Sequence, residues 1–274
     1  MADDYAAFIR GISVVHPVTA IAVQGYEPLL PASLPYTEAI LRAGTAIGVP
    51  CTLVTNGIYL GRALPLPSQF SLNRIGVSLD ASASGHHDRL RGVSGAWAAT
   101  TRSIREAAKH LDGSGTRVTV ISTLMPRRAA YLTGMPALLQ DLGVTDWIVN
   151  PLLTIGSNRP GKFAGKSASL LDDLQSLQDA AAREGIQLTI DDEFNLLRPT
   201  LEEADLARYA ALKVATLPDD MKISRLLPSG HCSVGADLLS QLPEDAARWR
   251  PEEDDPAEFL GGLLNSRNAL KKAA

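Results

Sequence analysis

The chain has 274 residues, of which 45 % are hydrophobic and 20 % charged, and a net charge of −4. That size and composition suit one large α/β domain, or a domain with an appendage, around a substantial core. The mildly acidic balance argues against nucleic-acid binding. No apolar run nears the roughly 20 residues that cross a bilayer, and the acidic start MADDYAAF is no signal peptide, so a cytoplasmic protein with no membrane partner is expected. The two cysteines, Cys51 and Cys232, lie far apart without metal-ligand spacing and read as reduced thiols.

Asp3 to Val15 reads as a helix, with Tyr5, Phe8, Ile9 and Ile12 on one face. Past Pro17, the apolar run Thr19 to Val23 reads as a buried strand. It breaks at Gln24-Gly25-Tyr26-Glu27-Pro28, where Gly25 permits unusual backbone angles and Pro28 fixes its own φ. Glu27 thus sits where a strand emerges into a loop, the end at which parallel α/β folds bind ligands. It is read either as a ligand contact or as a cap for the next helix, Pro35 to Ile47, which Gly48 stops. Strands follow over Cys51 to Val54, ending in Thr55-Asn56-Gly57, and over Arg74 to Asp80. Then come a helix from about Gly95 to Leu111, a strand Arg117 to Thr123, a helix Arg127 to Leu142 and a strand Trp147 to Leu153. A loop over 155–167, a helix Leu170 to Glu184 and a short strand Leu188 to Ile190 complete the alternation.

Such alternation, with near-continuous apolar strands, calls for a parallel sheet covered by helices, as a barrel or an open sheet. Right-handed crossovers put the strands' carboxyl ends on one rim. Gly25 and Glu27, Thr55 and Asn56, Ser78 and Asp80, Ser122, and Asn150 all fall there. Singly, each reads as a cap or turn residue; together they read as a ligand-binding rim. The charged loop His87-Asp88 with Arg89 and Arg91 reads either as a substrate contact on the rim or, more often for such a loop, as a solvated salt-bridge cluster. His86 beside His87 predicts no metal, because neighbours on a strand point apart and no third ligand is evident. Asp191-Asp192-Glu193 reads as a strand-end acidic turn.

Beyond about 195 the alternation fades. Leu201 to Leu212 reads as a helix, Met221 to Leu227 as a strand, Pro228-Ser229-Gly230 as a turn, and Pro256 to Leu264 as a last helix after the acidic run Glu252 to Asp255. Residues 1–194 are therefore expected to form the core domain and 195–274 a C-terminal extension. His231 and Cys232 read as part of a β-hairpin and not as a nucleophile pair.

Four pieces in order, Gly25-Tyr26-Glu27-Pro28-Leu29, Thr55-Asn56-Gly57, Val77-Ser78-Leu79-Asp80 and His87-Asp88-Arg89-Leu90-Arg91-Gly92, resemble the radical S-adenosylmethionine (radical SAM) enzymes over roughly residues 3–190. The resemblance implies a partial (β/α) barrel of parallel strands, S-adenosylmethionine and a 4Fe-4S cluster as cofactors, and radical chemistry on a small-molecule or peptide substrate. It also implies that the amino group of the methionyl moiety lies on Gly25, Tyr26 and Glu27, the ribose on Ser78 or Asp80, and the adenine along Ser122 and the Asn150 to Leu153 segment. Two departures stand out. The family holds its cluster with three closely spaced cysteines after its first strand, thiolates being the ligands such clusters require, and this sequence has no such trio. Tyr26 stands where the family has a second glycine. The helix Asp3 to Val15 matches the family's first helix, so the chain reads as truncated by one strand or as a relative without the cluster. A cluster-free barrel binding a small molecule or a protein, and an unrelated α/β-barrel enzyme, are the alternatives. Strand 19–23 would then form an apolar sheet edge, expected to be covered by the N-terminal helix, by the C-terminal extension or by a second chain in a homo-oligomer.

Overall fold

Seven strands pair in chain order: β1 (Ile21–Val23), β2 (Cys51–Thr55), β3 (Leu72–Ser78), β4 (Arg117–Leu124), β5 (Asp146–Pro151), β6 (Gln187–Asp191) and β7 (Val214–Ala215). Every pairing is parallel. The computed structural model describes residues 2–15, 17–25, 27–125, 128–151, 167–192, 201–216, 224–226 and 232–234, together with Asp255 and Glu258. Its helices are α1 (Ala2–Val15), α2 (Leu34–Ala46), α3 (Ser84–Arg91), α4 (Ala96–His110), α5 (Met135–Leu142), α6 (Ser167–Arg183) and α7 (Leu206–Ala211). When each strand pairs with the next and every crossover has one hand, the helices gather on one face and the sheet curls. The product is a half-barrel, the partial (β/α) barrel expected from the sequence.

The two faces of the sheet differ because side chains alternate along a strand. Leu53, Val77, Val120, Trp147 and Val149 are fully buried and belong to one hydrophobic core. Helices close that face. Ile104 and Ala107 of α4, Leu139 of α5, and Leu171, Leu174, Leu177 and Ala181 of α6 recur at three- and four-residue spacing and join the same core. The opposite, concave face carries the half-buried positions. Ser78 stands opposite Ile121, and Thr123 stands opposite Asn150, in register.

Several expected boundaries move, each for a local reason. β1 is only three residues long, because β2 begins at Cys51, opposite Ile21. β3 starts at Leu72, which packs into the core, and stops at Ser78, so Asp80 lies beyond the strand. The helix expected over Arg127 to Leu142 resolves, within the described residues, into a 3-10 turn over Ala129–Tyr131 followed by α5, which starts after Gly134. The stretch read as a charged loop is helix α3. The sheet also carries on past residue 194. Ile190 N–H donates to Lys213 O and Asp192 N–H to Ala215 O, which adds β7 to the sheet. Instead of one strand over Met221 to Leu227, β8 (Ser224–Leu226) pairs antiparallel with β9 (Cys232–Val234), the hairpin anticipated around Cys232. The loop 155–166, Leu152, Leu153, Glu193, the turn Pro228-Ser229-Gly230, His231 and the helix Pro256 to Leu264 lie outside the described residues, apart from Glu258.

α1 packs chiefly on α2, where Tyr5 meets Tyr36 edge-on at 5.9 Å. Among the described residues β1 pairs only with β2, and Ala22 is exposed. No described helix is long and apolar enough to cross a membrane.

Candidate functional site

A cavity of about 370 Å³ opens at the carboxyl ends of β1, β2 and β3, walled on its far side by α3 and the start of α4. Gly25, Glu27, Thr55, Asn56, Ser78, His87 and Arg91 line it. A second hollow of about 390 Å³ lies at the other end of the strands, around Gly48, Ser71 and Thr116, and no charged side chain lines it. Only the first holds titratable groups.

Glu27 is 7 % exposed, and its carboxylate accepts three hydrogen bonds. The Thr55 hydroxyl donates to Oε1 at 2.6 Å and the Leu29 N–H at 3.2 Å, while the Asn56 N–H donates to Oε2 at 2.8 Å. These bonds tie the loop after β1 to the carboxyl end of β2. The loop is braced from behind as well, since Thr37 in α2 donates to Pro28 O at 2.8 Å and Arg62 to Leu29 O at 2.8 Å. The tie needs sharp turns on both sides. Gly25 has φ +86°, and Gly57, just past the end of β2, has φ +85°. At Gly57 a Cβ would lie 2.8 Å from Val77 Cγ1 and 2.9 Å from Thr100 Cγ2, so no other residue fits without displacement. Among the described residues no Lys, Arg or His forms an ion pair with Glu27. A nearly buried carboxylate held by neutral donors, with no cation paired to it among the described residues, keeps an accepting site on Oε2.

Across the cavity, the end of β3 is fixed by Asp80, which is 5 % exposed. Its Oδ1 accepts the Thr123 N–H at 2.9 Å, its Oδ2 pairs with Arg91 Nη2 at 2.7 Å, and its own N–H donates to His87 Nδ1 at 3.1 Å. Asp80 therefore stands behind the cavity wall, while Ser78, His87 and Arg91 face the cavity. Burial and the neighbouring Arg91 lower the pKa of His87 below its ordinary 6.5, against a smaller opposing pull from Asp80 and Asp88. Asp88 turns away to the start of α4. It accepts the Gly95 N–H at 2.7 Å and the Trp97 N–H at 2.8 Å, and these bonds hold its carboxyl below the usual range.

The reading of residues 87–91 as a solvated salt-bridge cluster is corrected here: His87 is 1 % exposed, Asp88 caps a helix, and Arg91 pairs with a buried aspartate. Sequence periodicity missed α3 because Leu90 is its one large apolar residue; the remaining signal was Gly92 as a stop and the His87/Arg91 spacing of four. Ser122 does not sit at a strand end, since β4 runs on to Leu124. Its fully buried hydroxyl donates to Leu79 O and accepts the Trp147 Nε1–H at 2.9 Å, which places it on the helix-packed face and out of the cavity. Asn150 lies on the concave face beside Thr123, with a buried Oδ1 that has no hydrogen-bond partner. Tyr26 lies outside the described residues. His86 stacks on Tyr131 at 3.9 Å between ring centres, and Asp192 accepts the Tyr209 hydroxyl at 2.6 Å.

The thiols do not fit an iron–sulfur cluster. Cys51 is fully buried at the start of β2, the end remote from the cavity, and burial pushes its thiol up to about 11. Cys232, which opens β9, is the only other cysteine in the 274 residues. Among the described residues no group of three or more His, Cys, Asp or Glu side chains is placed to hold a metal.

No family model matches the chain. The AdoMet-dependent heme synthase of Oleidesulfovibrio alaskensis is 26 % identical over 137 residues, which cover 50 % of this chain and 34 % of that protein. Among solved structures, SuiB of Streptococcus suis bound to S-adenosylmethionine superposes with a TM-score of 0.65 at 13 % identity, covering 94 % of this chain and 58 % of that one. SuiB bound to the precursor peptide SuiA gives 0.66 at 12 % identity, covering 94 % and 57 %. Native anSMEcpe with bound AdoMet and a peptide gives 0.51 at 16 % identity, covering 68 % and 54 %. The chain thus spans about a third of the heme synthase and little more than half of these structures.

Proposed function

We propose that this chain is a radical SAM-like core domain, a reading supported by its half-barrel fold and by its 26 % identity to a heme synthase over 137 residues, and that the cavity at the ends of β1 to β3 binds S-adenosylmethionine. The observation that carries the reading is Glu27: a carboxylate 7 % exposed, held by three neutral donors, with no cation paired to it among the described residues, on the same cavity as Ser78. An ammonium supplies a cation and donates to the remaining accepting site on Oε2. Gly25 brings the backbone close to that point without a side chain in the way. Ser78 offers a hydroxyl to the ribose, with Asp80 behind it holding the strand end, and Asn150 offers an unpaired amide oxygen further along the concave face to the adenine. The two thiols of this chain hold no cluster, so none of the roles above runs through one.

Calorimetric titration with S-adenosylmethionine tests the reading. Saturable binding is expected, weakened about 10-fold or more in Glu27→Gln, as the loss of one charge-assisted hydrogen bond implies. Unchanged affinity in that variant, or no binding at millimolar ligand, overturns it.

A further inference from the structure

His87 belongs to none of the roles above, yet it is the most deeply buried titratable side chain lining the cavity. Its Nδ1 accepts the backbone N–H of Asp80, so that nitrogen carries no proton, and the proton of the neutral ring sits on Nε2. Protonating the ring would put two donors face to face across that 3.1 Å contact.

The charges facing His87 come from three elements. From the end of β3, Asp80 pairs with Arg91, which lies one turn along α3 from His87, and of the two Arg91 acts on the ring more strongly. Asp88, also on α3, spends its carboxylate on the amides that open α4 and does not line the cavity. The start of α4 itself contributes Ala96 and Thr100, neither of which titrates. From the loop after β1, Glu27 faces the same space.

We propose that His87 sets the charge of the cleft and so its preference for a cationic ligand: fixed with its proton on Nε2 by the Asp80 amide, it adds no positive charge to a wall on which Arg91 is paired with Asp80 and Glu27, among the described residues, has no ion-pair partner. This rests on the cleft being the S-adenosylmethionine site. That ligand's ammonium, carboxylate and sulfonium sum to one positive charge, while S-adenosylhomocysteine, which lacks the sulfonium, is neutral. With the ring neutral the cavity favours the sulfonium compound. With the ring protonated the charges in the cavity cancel and the advantage goes. Burial and Arg91 both act to keep the ring neutral near neutral pH.

The test is the ratio of the two dissociation constants, measured on the full chain from about pH 7.5 to about pH 5. In the wild type the preference for S-adenosylmethionine is expected to narrow roughly 10-fold on acidification. In His87→Gln, which carries no titrating proton, the ratio is expected to stay level. A level ratio in the wild type, or an undiminished slope in His87→Gln, overturns this proposal while the reading of the cleft stands. Failure of both ligands to bind overturns both together. Nitrogen-15 NMR of the wild-type ring gives a readout independent of ligand: an unprotonated Nδ1 with a protonated Nε2 at pH 7 is expected, and a doubly protonated ring overturns the proposal.

Discussion

Glu27→Ala tests the architecture of the site through stability. The truncation strips the acceptor from three donors at once: the Thr55 hydroxyl, the Leu29 N–H and the Asn56 N–H. The Thr55 hydroxyl already accepts the Gly57 N–H at 3.1 Å and can turn elsewhere, whereas the Leu29 amide belongs to a fully buried residue and has, among the described residues, no other acceptor. A buried donor left without a partner costs about 1–3 kcal/mol, and bonds to a charged acceptor are worth about 1.5–3 kcal/mol each. Removing an uncompensated buried charge returns part of that loss. The balance is a loss of about 2–4 kcal/mol, or a fall in Tm of roughly 5–15 °C for a chain of this size. Urea unfolding followed by circular dichroism measures it. Stability within about 0.5 kcal/mol of wild type would mean that water satisfies these donors, and the carboxylate would not be what ties the two strand ends together. Ligand then separates the structural from the binding role. At 100 times its Kd, S-adenosylmethionine is expected to stabilise the wild type by about 2.7 kcal/mol and Glu27→Gln by far less.

Gly57→Ala forces a side chain into φ +85° between Val77 and Thr100 and is expected to cost about 2–4 kcal/mol in urea unfolding; wild-type stability would show that the turn relaxes. Asp80→Asn keeps an acceptor for Thr123 but uncouples Arg91, which is 34 % exposed, so a loss of about 1–2 kcal/mol is expected together with weaker binding of S-adenosylmethionine beside an unmatched guanidinium; unchanged affinity would sever the pair from the cavity. Cys51, raised to about 11 by burial, ionises more readily unfolded than folded. Stability is therefore expected to fall as pH rises from about 9 towards 11. In a Cys232→Ala background Cys51 should be alkylated only as fast as the domain unfolds, and prompt labelling of the native protein would refute its burial.

The sheet was legible because its strands are short, near-continuous apolar runs alternating with helices, and their residues Leu53, Val77, Val120, Trp147 and Val149 are fully buried. Its rim was legible only in part. Gly25, Glu27, Thr55, Asn56 and Ser78 do share one cavity, because β1, β2 and β3 end within a residue or two of where their apolar runs stop. Ser122 misled because β4 outlasts its β-branched run by one turn of the pleat, which leaves the hydroxyl facing Trp147. Asp80 fell one layer back because β3 closes at Ser78. α3 escaped notice because a helix that faces a polar cavity has no apolar stripe to announce it, and β7 because two residues are too few to show a period. His87 was visible as a rim candidate, but its bond to a backbone amide seven residues away was not, because no spacing rule encodes such a contact.

Asp88 has a mechanical consequence. Its carboxylate grips two amides at the head of α4 while its neighbour His87 grips the end of β3, so the two helices are yoked into a single corner piece hinged on one short stretch of chain. The corner is tied back to the neighbouring strand end as well, since the Thr100 hydroxyl of α4 donates to Asn56 O at 3.0 Å.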